Sequence, residues 1–515
     1  MQDTLRRPGL LGAWALALAA CSSDTPTRPA LPDVSLRRSA VATSVHAPNG
    51  YAADTLAVGE TTQLTATLRS PGKKTRTVAW TSRNAAVASV TQSGLVTGVA
   101  GGATFVVASN GADADSARIT VLGAAPPPPP SGSCPSVTDW TAKAQSSLVK
   151  PGYLQSVTDA TFGVTITRVS GDPGTAIGNG MTTQWPQVVG PAYAKTPAWS
   201  ADGAYLLLSV SGALGGGVSL VLDGHTYQPI RPAGPAPSYV WHPSTPDVLI
   251  GVSGGGSVVT HNVRTGATTT AVSVSGYTSG WLGKGEGNPS NDGRYVPVSA
   301  RRTSDSREVV YVADVVAGTK SPDLDVVAQS FSDLDWVGVS QSGRYLFLFG
   351  TIGGAWGRAK VYDRATLALV HYWSDYPTGH SDLGLDAAGA DVLFGAVTLA
   401  GAPQWVARNL TTGALTTLSP GHTTNWHAST RNTKRPGWGL GTTNNAAGSP
   451  VDGQMYAVRL DGSQGVERWG YHRSAVTAYD AHPFAVPSPD GRKVVFRSNW
   501  GAAAGPVQAY VVSCP

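Results

Sequence analysis

"SPDGRKVVF", residues 488–496, is the stretch on which the reading of the fold turns. Ser-Pro-Asp-Gly is a tight-turn sequence: Asp folds its side chain back onto the backbone, and Gly supplies a positive φ. "KVVF" behind it is a short apolar strand. The same turn recurs upstream as "SADG" (Ser200), "STPD" (Ser244), "SNDG" (Ser290), "SQSG" (Ser340) and "DAAG" (Asp386). A degenerate copy lies near Ser429 in "HASTRNTKRPGWGLG". The interval is about 45 residues, the length of one four-stranded propeller blade. Apolar strands flank each turn, such as "TPAW" and "YLLLSV" or "DWVGV" and "YLFLFG". Six clear copies and one degenerate copy predict an all-β fold, a seven-bladed β-propeller over residues 134–515, with blade six the least regular.

The last repeat runs out before its outer strand. "GVTITRVS", residues 163–170, has no turn motif of its own and is the spare strand that completes that blade. Such closure removes both free sheet edges. Cysteine placement agrees independently. Apart from Cys21 the chain has only Cys134, which opens this region, and Cys514, which ends it. In an exported chain two spare thiols predict a disulfide.

Export is predicted by the N-terminus. Arg6 and Arg7 precede "GLLGAWALALAA", an apolar run too short to span a bilayer. It ends in "LAAC", Leu18 to Cys21, which resembles the lipobox of bacterial lipoproteins. The resemblance implies a signal peptide over 1–20, a lipidated Cys21, a polar tether over 21–33 and, with Ser22 following, the outer membrane. The acyl chains would then be the only anchor. Residues 34–122 carry alternating strand patterns and resemble bacterial immunoglobulin-like group 2 domains. The resemblance rests on Val58-Gly59-Glu60, Leu64, Trp80, Ser82, Ala88, Val90, Gly94, Val96, Gly98 and Gly102. It implies a small β-sandwich acting as a spacer or adhesive module, with Trp80 in its core. A proline-rich linker over 123–133 favours extended polyproline geometry.

Charged residues make up 13% of the chain, and the net charge is +5. Residues 420–515 hold nine Lys or Arg against five Asp or Glu, with four of the ten histidines. On an exported protein a basic lobe points to acidic glycans rather than nucleic acid, and a solvated surface fits equally. In a propeller, the loops that enter each innermost strand converge on one mouth. Here they bring Tyr193 and Lys195; Tyr239 and His242; Glu286 and Asn288; Asp335 and Trp336; His380 and Asp382; Trp426 and His427; and Tyr479, Asp480 and His482. Trp199, Trp241 and Trp336 read most simply as packing between blades, and His242 as a core histidine.

The densest chemistry is "NWHASTRNTKRPGW", residues 425–438, followed by "YHRSAVTAYDAHP". His482, His427, Tyr479 and Arg431 are the candidate catalytic residues. Lys195, His380, Lys434, Arg435, Trp438, Arg497 and Trp500 are the candidate binding residues. Arginine forks bind carboxylates and flat aromatics cover sugar faces. β-Elimination from a uronic-acid polymer needs a cation at the carboxylate, a base near neutrality and an acid for the leaving oxygen.

The "SxDG" turns and their strands resemble TolB-like propellers. Ala481-His482-Pro483 before Ser488-Pro489-Asp490-Gly491, with Arg497-Ser498-Asn499 after, is similar to propeller-type oligogalacturonate lyases. That resemblance implies a function for His482. In those lyases this approach carries two histidines that hold a divalent metal, and Phe484 stands where the second would be, so the metal is left open and no other cofactor is called for. "GVSGG" at residues 251–255 fits G-x-S-x-G, but no helix follows it to make a nucleophile elbow. Two functions stand: a monomeric surface lipoprotein that binds acidic polysaccharide and cleaves it by β-elimination, or a non-catalytic module binding a glycan or another envelope component.

Overall fold

The computed structural model of the protein describes residues 42–46, 53–56, 58–69, 78–110, 114–121, 134–210, 219–233, 239–375, 380–399, 401–421, 427–443 and 449–514. The predicted signal, lipobox-like motif, tether and proline-rich linker fall outside them, as do Asn425 and Trp426. Among the described residues the regular structure is strand throughout, apart from two three-residue 3-10 turns, and no helix is long and apolar enough to cross a membrane.

The N-terminal unit is a sandwich. One sheet orders Ala53–Leu56, Ala114–Val121, Gly102–Ser109 and Ala79–Ser82; the facing one orders Thr61–Gln63, Leu95–Gly98 and Ala88–Val90. Leu56, Leu64, Trp80, Val96, Val106 and Ile119 fill the space between. Gly94 has φ +86° and lies so close to the Leu64 carbonyl that a β-carbon would sit 2.7 Å from it.

From Val189 onward the described strands form seven sheets in sequence order. The innermost strands of the first six are Val189–Gly190, Tyr239–Trp241, Tyr277–Leu282, Phe331–Val339, Asp382–Leu385 and His427–Ser429. The seventh combines both ends of the domain: Val486–Pro487, Lys493–Ser498 and Gln508–Ser513, then Val164–Arg168 and Ser156–Asp159. Val164–Arg168 is the strand anticipated from residues 163–170, with Ile166 opposite Val512. Ser156–Asp159 adds a fifth strand that the sequence pattern did not single out.

The recurring turn is explained by its hydrogen bonds. Ser488 Oγ donates to Asp490 Oδ1 (2.6 Å) and accepts from Lys493 N (3.0 Å), while Asp490 Oδ1 accepts from Arg492 N. Gly491 supplies φ +69°. Ser200, Asp202 and Gly203 repeat this geometry. The second copy departs from it. His242 takes the serine's place, its Nδ1 accepting from Thr245 N at 3.1 Å, so Ser244 does not hold the turn and His242 is a turn residue rather than part of the mouth.

Apolar packing lies between sheets. Leu206 and Leu208 of the first sheet pack with Val486, Val495 and Val511 of the seventh. Met455 and Trp469 of the sixth pack with Val494, Phe496 and Val512 of the seventh. Five further clusters join the intervening neighbours in order. Trp241 stacks on Tyr205 of the neighbouring sheet and donates Nε1–H to Ala198 O, and Trp336 is buried in the cluster between sheets four and five.

Cys134 and Cys514 form a disulfide, Cα–Cα 5.7 Å, across 380 residues. Linking so distant a pair restricts the unfolded chain. The Cys134→Ser/Cys514→Ser variant is expected to lose about 4 kcal/mol of propeller stability in chemical denaturation. An unchanged midpoint would mean that the bridge does not hold the ends together.

Candidate functional site

Three consecutive sheets bring one histidine each to the same place. His380 enters the fifth inner strand, His427 begins the sixth and His482 precedes the seventh. Backbone pairing sets the first two: Ala428 N donates to His380 O at 3.0 Å, so the loop before one strand is tied to the start of the next. The His380 and His427 rings stack, with centroids 4.6 Å apart and 8° between planes. His427 Nε2 lies 3.2 Å from His482 Nδ1, and one of the two carries the shared proton.

Aromatic rings surround this group. Phe484 packs edge-on to His427 at 4.7 Å and lies 5.0 Å from Tyr193, which comes from the first sheet and itself meets His427 at 5.4 Å. Tyr479 covers His482 and Phe484 and is 61% exposed, so it presents the open face of the group.

Two cations back the cluster. Arg497 is buried, donates Nε–H to His482 O at 2.9 Å and lies 4.1 Å over the Phe484 ring. Lys195 is buried, pairs with Glu286 at 2.7 Å and lies 4.0 Å over Trp336. Burial, then the neighbouring His380 and His482, push His427 well below the ordinary imidazole range, with Lys195 and Arg497 adding to the effect. Burial and Arg497 hold His482 to about 4. Burial lowers Arg497 to about 10. Both histidines are therefore neutral bases at pH 7, held next to positive charge. Burial and the nearby Glu286 carboxylate raise the Tyr479 phenol, leaving it a proton donor.

The cluster thus contains His482, His427, His380, Tyr479, Lys195 and Arg497. Arg431 is not among them. Its guanidinium grips Asp382 through two 3.0 Å bonds and also donates to Leu383 O, with both side chains almost wholly buried. Removing one partner from such a pair leaves an uncompensated buried charge, worth about 3–5 kcal/mol. Arg431 is a structural tie between sheets five and six, and the catalytic role read from its sequence neighbourhood has no geometric basis.

Arg435 and Trp438 are also elsewhere, at the far end of the sixth inner strand. Arg435 makes a double bond pair with Glu467 (2.7 Å each) and lies over Trp438. Lys434 is exposed in that same turn. Trp500 packs on Tyr510 and donates to Leu148 O, and among the described residues it makes no ring contact with the histidine cluster. The dense basic run was misleading because a turn reverses the chain: His427 points to one end of the strand and Lys434, Arg435 and Trp438 lie at the other. Sequence reasoning undervalued Phe484 and Tyr193. Their only signal was position, since an aromatic next to a mouth reads equally well as core.

A divalent metal held by histidines does not fit this arrangement. His380 and His427 stack face to face, Phe484 packs edge-on against His427, and among the described residues no three His, Cys, Asp or Glu side chains are arranged so that they could hold a metal ion.

Residues 51–121 match the bacterial Ig-like domain (group 2). No curated protein matches the chain. The propeller resembles an oligogalacturonate lyase solved in complex with manganese: TM-score 0.52 and 14% identity, covering 72% of this chain and 99% of that one. A second oligogalacturonate lyase, from Vibrio parahaemolyticus, gives 0.49 and 11% over the same shares. TolB from Acinetobacter baumannii gives 0.32 and 14%, covering 52% and 61%. At these identities the likeness is one of fold, a β-propeller, which follows the separately matched Ig-like domain.

The depressed histidines have a sign that can be tested. The unfolded chain titrates near 6.5 and binds protons that the folded site refuses. Their contribution is complete above about pH 6.5 and is lost as pH falls toward the folded value of about 4 for His482. Denaturation midpoints of the wild type should fall across that window, and His482→Gln should flatten the slope. His472, fully buried and also held to about 4, acts with the same sign, so histidine NMR titrations are needed to resolve each ring. A His482 resonance titrating near 6.5 would contradict the assignment.

Proposed function

We propose that the histidine-lined mouth binds a saccharide bearing a carboxylate. The observation that carries this reading is the convergence of three histidines from three successive sheets upon the cations Arg497 and Lys195, beneath the exposed Tyr479 ring. Aromatic faces suit the apolar face of a sugar ring, and buried cations favour an anion over a neutral ligand.

Cleavage by β-elimination is the second part of the reading: His427 and His482 are neutral at pH 7 and so open to a proton, although their lowered basicity makes them weaker bases than the near-neutral one the reaction favours. A carboxylate drawn toward Arg497 or Lys195 has its negative charge stabilised, which acidifies the adjacent C–H. A neutral imidazole accepts that proton, the double bond forms and the glycosidic oxygen leaves as Tyr479 protonates it. The raised Tyr479 keeps its proton until the leaving oxygen takes it. Arg431 has no part in this scheme. The scheme proceeds without a metal, in keeping with the ring geometry.

The protein would work outside the cytoplasm, tethered by a lipid on Cys21 and spaced from the membrane by the Ig-like domain. Labelled palmitate should enter the wild type and not Cys21→Ser; labelling of the variant would rule the anchor out.

The decisive experiment measures binding of oligogalacturonides against neutral galacto-oligosaccharides, together with release of ultraviolet-absorbing unsaturated product. Wild type should bind the acidic series at least about tenfold (~1.4 kcal/mol) more tightly. His482→Ala should abolish product while retaining part of the binding. Equal affinity for both series would sink the acidic-ligand reading. Acid-selective binding without product would leave the non-catalytic binding module in place of the lyase.

A further inference from the structure

We infer that Glu286 is a built-in occupant of the mouth's carboxylate seat: on Lys195 it holds the place that a ligand's carboxylate takes. This rests on the acidic-ligand reading above and adds to it a specificity-determining residue.

Lys195 is enclosed. Trp336 lies under its ammonium at 4.0 Å, Tyr193 flanks it at 5.5 Å, and Asn288 Nδ2 donates to its carbonyl at 2.7 Å. Its side chain is 1% exposed, whereas that of its partner Glu286 is 28% exposed. Of the pair, it is the carboxylate that meets solvent. A buried ammonium requires an anion at all times, because an unpaired charge taken out of water is strongly destabilising. An exchange of one carboxylate for another satisfies that requirement, and displacement by a neutral ligand does not. Acidic and neutral sugars are thereby discriminated at a single cation.

The backbone of the loop that carries Glu286 is closely packed. "GKGEG", residues 283–287, runs through φ +49° at Gly283, +62° at Lys284 and +97° at Gly285. A β-carbon on Gly287 would stand 1.7 Å from Val337 O, and one on Gly283 would stand 2.5 Å from it. The glycines press this turn against the fourth sheet's inner strand. Glu286 is 28% exposed on the solvent side of the pair, so rotation about its own side-chain bonds would carry it off Lys195 without displacing the loop. The seat adjoins the histidines through Tyr193, whose ring lies 5.5 Å from the Lys195 ammonium and 5.4 Å from the His427 ring. A seated carboxylate would therefore hold its sugar ring against the base and the phenol.

Chemical rescue of the full chain tests this. Glu286→Ala should lower the thermal midpoint, and propionate should restore about 2 °C of the loss while propionamide does not. Galacturonate should rescue as propionate does, and galactose should not. Adding Lys195→Met to Glu286→Ala should abolish rescue. Equal rescue by amide and acid, rescue that survives Lys195→Met, or none at all would overturn the inference. Rescue by propionate but not galacturonate would keep the seat and remove the saccharide reading. In a separate arm, Glu286→Gln keeps the side chain's volume and should bind trigalacturonate about tenfold more tightly than wild type; unchanged or weaker binding also overturns the proposal.

Discussion

The arrangement rests on the pairing of Thr165–Arg168 with Tyr510–Ser513 in the seventh sheet. A ring of sheets has no intrinsic end, and each sheet buries its faces only against two neighbours. Without the early strand, the last sheet would present an open edge, and its packing against the first sheet would be undersupported. The disulfide at Cys134 and Cys514 reinforces the same junction from outside the ladder. Tyr193 of the first sheet touches His427 of the sixth and Phe484 of the seventh, so the histidine cluster depends directly on closure.

Within that ring, burial sets the chemistry. His427, His482 and Arg497 share a low-dielectric space in which each positive charge discourages another. The guanidinium gives way least, since even lowered to about 10 it remains charged near neutrality. The histidines give up their protons instead. The mouth thus combines permanent cations with neutral bases, a division of roles that equal exposure to water would erase. Hydrogen bonds from Arg497, on the strand Lys493–Ser498, to the carbonyl of His482 and, at 3.4 Å, to that of Tyr479 tie the cation to the short loop that carries base and phenol.

Two clusters of charge in this chain look alike in sequence and differ in space. Arg431 and Arg435 are four residues apart, yet one is sealed against Asp382 between sheets and the other is half-buried on Glu467. Neither approaches His427, although His427 precedes Arg431 by four positions as well. A strand followed by a tight turn carries successive residues away from one mouth and around its far end. Proximity along the chain therefore overstated the basic patch, while the true neighbours of His427 came from about 50 residues upstream and downstream, one blade period away.

Sequence alone determined the periodic features. The Ser-x-Asp-Gly turns encode their own local hydrogen bonds, so the repeat, the strand order and the spare strand near Val164 were legible without coordinates. So was the Ig-like core around Trp80, because alternation in a half-buried sheet is a local property. His482, His427, His380, Tyr479, Lys195 and Arg497 were legible as candidates through their recurrent place before each inner strand. Tertiary structure decided which of them meet, which cation is spent on Asp382, and that Phe484 and Tyr193 complete the cluster. It also revealed Glu286 on Lys195. Those outcomes depend on ring closure and on side-chain burial, which are set by contacts between residues far apart in sequence, and no local pattern records them.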